Sequence, residues 1–362
     1  MVKKIYREND GDLSILKDKT ITIIGYGNQG RAQALNLRDS ELSVIIGNRN
    51  DDYKLRAEKD GFQTYSISDA VKKADVIFLL VPDEIMREIY ERHVKPNLKP
   101  NAALVFASGY NIAFEFINPL KNIDILLLAP RMIGAGVRER YLTNEGFYSF
   151  ISIHNDASGQ AKEILLALCK GVGTLLKGAI ELTFKQEAVL DLFNEQGFGS
   201  AFGQVLLGSI YTLVDAGYPP EAVLVEMFLS GEMEYTYQKF RKVGLVKQVN
   251  LHSHTSQYGS MSRGIKFRNL PVTKIQKEIL EDIETGKFAE EWESRFAKLK
   301  FRFLKFFATK TRINRLEQHV RTKLGLKAVD IFEEELISDE ELNKFQEIKE
   351  ELKEFEDFYR EI

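Results

Sequence analysis

The chain has 362 residues, 44% of them hydrophobic and 28% charged, with a formal net charge of −3. That is the profile of a soluble globular protein long enough for two domains. It offers no general electrostatic pull toward nucleic acid or an anionic membrane. No apolar run approaches the roughly 18 residues that span a bilayer, and no secretory signal opens the chain, so the expected location is cytoplasmic.

The first half alternates strands with helices. Apolar, β-branched runs at residues 20–25, 43–47, 75–81, 103–107, 123–129 and 149–154 read as strands. Helical patterns at 31–39, 53–60, 66–73 and 85–93 lie between several of them. This order predicts an α/β fold with a doubly wound, Rossmann-type parallel sheet. Its first strand runs into Gly25-Tyr26-Gly27-Asn28-Gln29-Gly30, a G-x-G-x-x-G turn that opens a helix. Gly25 permits the turn, Gly27 lets a pyrophosphate approach the backbone, and Gly30 lets helix and strand pack closely. The free amides at the helix start then face the phosphates. The run ending Val81-Pro82 reaches the same edge of the sheet, and Cys169, among leucines, reads as a core thiol.

The second strand leads into Asn48-Arg49-Asn50-Asp51-Asp52. Arg49 suits a 2′-phosphate, whereas Asp51 and Asp52 would accept from a ribose 2′-hydroxyl and repel a phosphate. The expected cofactor is therefore NAD(P)H with a lean toward NADH, and Arg49 and Asp52 join the glycine turn and Pro82 as expected cofactor contacts.

From residue 185 the pattern becomes helical, broken at Gly217-Tyr-Pro-Pro220 and Gly244. The expected division is a dinucleotide-binding domain over 1–182, an all-helical second domain over 183–328 and a charged helical tail over 329–362. Asp191 and Glu195 stand at i and i+4, one face of a helix, in apolar surroundings that suit a cation held by two carboxylates. His252 and His254 flank Ser253 in a stretch read as an extended loop; hydrogen bonding or exposure is the commoner use of such a pair.

These blocks, in this order, resemble the ketol-acid reductoisomerases. The resemblance is carried by the glycine turn, by 75–84, and by His154-Asn-Asp-Ala-Ser-Gly-Gln-Ala-Lys162. It continues through 184–196, 214–221, 253–259 and 283–289, and fades from about residue 311. It implies a homodimer or higher oligomer that takes a small 2-acyl-2-hydroxy acid such as acetolactate. Two Mg²⁺ ions assist an alkyl shift and NADPH reduces the resulting 2-oxo acid, on the way to valine and isoleucine. By resemblance Asp191 and Glu195 are metal ligands, with Asp191 between the ions, and Glu226 begins a second pair. Ser253 matches a substrate-contacting serine.

Three positions depart from that pattern. Ser230 replaces the last metal-binding carboxylate, Ser108 stands where the family has His, and Arg131 where it has Lys. On one continuous helix Glu232 and Glu234 would point roughly 240° and 80° away from Glu226, too far round to substitute. One Mg²⁺ is therefore expected and the second is not. Arg131, Ser108 and Asp191 are the expected catalytic residues. The expected function is an NAD(P)H-dependent oxidoreductase of this family, one converting 2-acyl-2-hydroxy acids such as acetolactate to 2,3-dihydroxy acids in valine and isoleucine biosynthesis. The alternatives are a 2-oxo acid reductase without alkyl migration, or a catalytically silent dinucleotide-binding relative.

Overall fold

The computed structural model describes residues 4–294 and 296–326. The expected charged tail, 329–362, lies outside the described residues. The chain divides into two compact units between Asp191 and Leu192. The break falls later than the expected 182 because Phe184, Glu187 and Ala188 are buried. The Phe184 ring meets Phe106 edge-on, which keeps the first turns of that helix with the sheet.

The first unit is built on nine strands: β1 (Ile5–Tyr6), β2 (Thr20–Ile24), β3 (Ser43–Gly47), β4 (Thr64–Tyr65), β5 (Val76–Leu79), β6 (Ala103–Phe106), β7 (Asp124–Pro130), β8 (Tyr148–Asn155) and β9 (Gly178–Glu181). They form one sheet in the order β1-β9-β8-β7-β6-β5-β2-β3-β4. The helices are α1 (Asn28–Asp39), α2 (Asp52–Lys59), α3 (Ile67–Lys73), α4 (Asp83–Ile89), α5 (Tyr110–Ala113), α6 (Gly134–Leu142), α7 (Ala161–Val172) and the start of α8 (Phe184–Phe193).

Strands β4-β3-β2-β5-β6-β7 are parallel, as the alternating pattern predicts. The remaining edge is not: β8 runs antiparallel to β7, β9 parallel to β8, and β1 antiparallel to β9. The two-residue β1 and β4 escape a sequence reading because they are too short to show a period, and β9 lies beyond the last strand read.

Alternation along each strand builds two cores. Val76 and Phe78 face one side with Ile21, Ile23 and Cys169, while Ile77 and Leu79 face the other with Ala70, Met86 and Tyr90. Cys169 is fully buried, and burial pushes its thiol well above the ordinary range. The strand order reverses between β2 and β5, and the carboxyl ends of these neighbours are where ligands of such sheets bind.

The second unit is helical: α9 (Ser200–Asp215), α10 (Pro220–Leu224), α11 (Glu232–Val243), α12 (His254–Gly264), α13 (Val272–Thr285), α14 (Lys287–Trp292), α15 (Ala297–Thr309) and α16 (Arg312–Lys323). Ile210, Val223, Leu224 and Val320 form a small cluster. Leu245, Val246, Leu251, Met261 and Phe267 are each 61–81% exposed.

Among the described residues one helix, Phe184–Asp215, is long and apolar enough to cross a membrane by length and composition alone. The sequence reading missed it because Gly, Ser and Gln residues break up the uncharged stretch between Glu195 and Asp215.

Candidate functional site

At the carboxyl ends of β2 and β5 lies a cavity of about 650 Å³, lined in part by Gly27, Arg49, Asp51, Ser68, Pro82 and His93. The glycine turn forms its floor. Gly25 sits at φ +93°, and a Cβ there would lie 2.5 Å from the Leu80 carbonyl oxygen. A Cβ on Gly30 would lie 2.1 Å from the Gly25 oxygen, so any side chain would push α1 off β2. Gly27 differs: a Cβ there would meet nothing within 4 Å, leaving the backbone open at the positive end of α1.

The motif's other residues brace this turn. Tyr26 is 1% exposed; its hydroxyl donates to Asp60 (2.8 Å), which also receives Arg31. Gln29 donates to the Met132 carbonyl (2.8 Å), and Asn28 lies so close to Gly134 that a Cβ there would fall 2.2 Å from the Asn28 oxygen. The segment after β7 is thereby clamped to the start of α1. Pro82 begins α4 on the opposite wall.

In the loop after β3, Asp51 rather than Asp52 lines the cavity. Its carboxylate caps α2, accepting from the Tyr53 and Lys54 amides, and also accepts from Asn48 (2.7 Å) and Arg49 Nε (2.6 Å). Asp52 is exposed in the first turn of α2. Arg49 reaches the cavity already paired with an acid.

A second constellation gathers at the ends of β6 and β7. Arg131 Nη1 donates to Asp191 Oδ1 (2.5 Å) and Nη2 to Glu187 Oε1 (2.8 Å). Its Nε donates to the Ala129 carbonyl (3.3 Å), and its guanidinium lies over the Phe150 ring at 4.9 Å. The other oxygen of Glu187 accepts the Gly109 amide (2.5 Å). Ser108 stands beside it, its hydroxyl accepting the Tyr110 amide (3.2 Å). The Glu187 side chain is fully buried. Burial raises its pKa to about 7, against the opposing pull of Arg131 and the Gly109 amide. Glu187 was absent from the sequence-predicted site. Its signal was available, since it precedes Asp191 by four residues and so shares that helical face.

The remaining sequence-predicted residues belong to the second unit. A π-turn, Asn194–Gly199, begins directly after α8. The regular helical spacing assumed for Asp191 and Glu195 therefore ends at Phe193, and Glu195 is exposed. Glu226 is exposed in a second π-turn, Val225–Leu229. The chain then turns at Gly231, φ +77°, before α11. The angles assigned to Glu232 and Glu234 on one continuous helix consequently do not apply.

Ser230 uses its hydroxyl to accept the Glu232 amide (3.3 Å). Ser253 caps α12 by accepting the Ser256 amide (3.2 Å). His252 contacts Gln248 (3.1 Å), and His254 opens α12 rather than lying in an extended loop. Among the described residues no three acidic, His or Cys side chains converge as a metal site. Asp191 is held by Arg131, and residue 230 offers a hydroxyl rather than a carboxylate.

The glycine turn, the open helix end and the cavity at the strand-order reversal define a dinucleotide-dependent oxidoreductase of the doubly wound class. Residues 15–178 match the acetohydroxy acid isomeroreductase NADPH-binding domain, and 184–325 the ketol-acid reductoisomerase C-terminal domain. A ketol-acid reductoisomerase (NADP(+)) of Petrotoga mobilis is 42% identical over 81% of this chain and 88% of that protein. Another, from Sulfurisphaera tokodaii, is 40% identical over 82% and 89%. The structure of an NADH-preferring ketol-acid reductoisomerase from an uncultured archean is similar at a TM-score of 0.83. It is 33% identical, covering 91% of this chain and 100% of that one. The chain belongs to the ketol-acid reductoisomerase family, the NAD(P)H-dependent oxidoreductases of branched-chain amino acid biosynthesis.

Proposed function

We propose that this chain reduces a small 2-oxo acid of the branched-chain type, using NADH at least as well as NADPH, and performs the preceding alkyl shift poorly. The observation that carries this reading is the Arg131 fork on Glu187 and Asp191. Reduction needs a placed nicotinamide and a positive group beside the carbonyl oxygen that gains charge as hydride arrives. Arg131 supplies that group on a segment clamped to the dinucleotide turn. The alkyl shift demands that two adjacent oxygens be polarised together, and the donor set described above does not fit the second ion. At most one Mg²⁺ is expected, with Glu195 and Glu226 as its carboxylates and Asp191 tied to Arg131; when bound it would polarise substrate oxygen.

The preference for NADH is supported by Asp51 on the cavity wall, where it partly neutralises Arg49, and by the NADH-preferring structural relative. The many exposed apolar side chains of the helical unit support a homodimer or larger assembly, because burying them against a partner is favourable.

The test compares acetolactate with its rearranged 2-oxo acid, each with NADH and NADPH in Mg²⁺. Faster turnover of the rearranged acid, with Ser230→Glu raising acetolactate conversion more than reduction, is the expected result. Equal turnover of both acids by the native chain would refute it and favour the complete reductoisomerase reaction.

A further inference from the structure

We propose that Arg131 is a built-in cation: its guanidinium occupies the Asp191 carboxylate in place of a divalent ion, so that the chain itself neutralises Asp191. This inference rests on the reductase reading above and names how that site is charged.

The side chain is held at three nitrogens and on one face, and stays partly exposed. Its two terminal nitrogens divide between Glu187 and Asp191, its Nε is bound to Ala129, and its face lies on Phe150. A planar fork can bridge two carboxylates in this way, whereas a single ammonium on a flexible stem does not match that geometry. Arginine also keeps its charge at every pH a protein experiences.

Moving Arg131 aside for a metal would strand Glu187, whose side chain is fully buried and whose second oxygen is pinned by the Gly109 amide. Removing one partner of a buried hydrogen-bonded pair is unfavourable because the other is left unsatisfied, whichever protonation state it holds. Mg²⁺ requires its oxygens at about 2.0–2.1 Å in near-octahedral order, yet Asp191 Oδ1 already holds a nitrogen at 2.5 Å. The guanidinium and a metal therefore compete for the charge of one carboxylate, and the guanidinium is the group that cannot diffuse away.

Binding of Mn²⁺ alone to the full-length native protein, counted by electron paramagnetic resonance, tests this without turnover. The native chain should bind no more than one Mn²⁺ per subunit, and Ser230→Glu should gain a second site only when combined with Arg131→Lys. Asp191→Asn should leave the native count unchanged, which keeps the test open even if the lysine variant fails to fold. In parallel, Arg131→Met should slow 2-oxo acid reduction about 100-fold at saturating Mg²⁺, the scale of losing one oxyanion donor. Two Mn²⁺ sites on the native chain, or loss of Mn²⁺ in Asp191→Asn, would overturn the proposal. Absence of any 2-oxo acid reduction would instead refute the reductase reading, with the metal count still deciding this one.

Discussion

Replacing Glu187 by Gln should flatten the pH dependence of stability between about pH 5 and 8. In the native chain burial raises the Glu187 pKa from 4.5 to about 7. A folded-state pKa above the unfolded value means that the folded protein holds its proton more tightly. The associated stability is fully present below pH 4.5 and is lost as pH rises through 7. At 1.36 kcal/mol per unit, that shift corresponds to roughly 3 kcal/mol. Few other groups oppose it in this window, since Asp39, Asp60 and Asp75 are lowered from the ordinary value and act at more acid pH. Gln fills nearly the same volume and its carbonyl can still accept the Gly109 amide, so the substitution removes the titration while keeping the shape. Urea unfolding of both proteins at pH 5 and pH 8, at one fixed concentration, reads the difference. The native chain should lose about 2.5 kcal/mol more than the variant over that interval. Parallel pH profiles for the two proteins would show that Glu187 stays ionised throughout, with Arg131 and Gly109 outweighing burial.

Asp51→Ser should keep the α2 cap, since serine is also a good N-cap, while releasing Arg49. NADPH should then bind about tenfold more tightly relative to NADH, roughly 1.4 kcal/mol; fluorescence titration of both cofactors checks it, and no change would place the preference elsewhere. Gly30→Ala must displace backbone, given its 2.1 Å approach to the Gly25 oxygen. It should cost about 1–3 kcal/mol and abolish cofactor binding, as calorimetry and titration would reveal. Light scattering at micromolar concentration should find a dimer or larger species; a stable monomer would leave the exposed apolar side chains of the helical unit without a covering partner.

The dinucleotide half was legible in the sequence because its signals are local. A glycine turn between a β-branched strand and a helix depends on residues within one short stretch, and Gly25 and Gly30 carry the close approaches that the motif requires. Buried parallel strands such as β5 and β6 show themselves as apolar runs for the same reason. Where several local cues compete, the reading was weaker. Two adjacent acids after β3 were indistinguishable as sequence, and only the start of α2 turned Asp51 onto the cavity wall and left Asp52 exposed.

The charged centre depended on tertiary structure. Arg131, Glu187 and Gly109 lie 22 to 78 residues apart, and each is ordinary in its own segment. Their meeting follows from packing α8 against the ends of β6 and β7, and the resulting burial moves the Glu187 pKa. The π-turns at Asn194–Gly199 and Val225–Leu229 likewise change the spacing of metal-ligand candidates in ways a fixed helical period does not capture. The sequence by itself determined the cofactor-binding framework, through backbone geometry and hydrophobic period. The fold decided which charges face one another, because the energy of a charge is set by its neighbours and its distance from water rather than by its place in the chain.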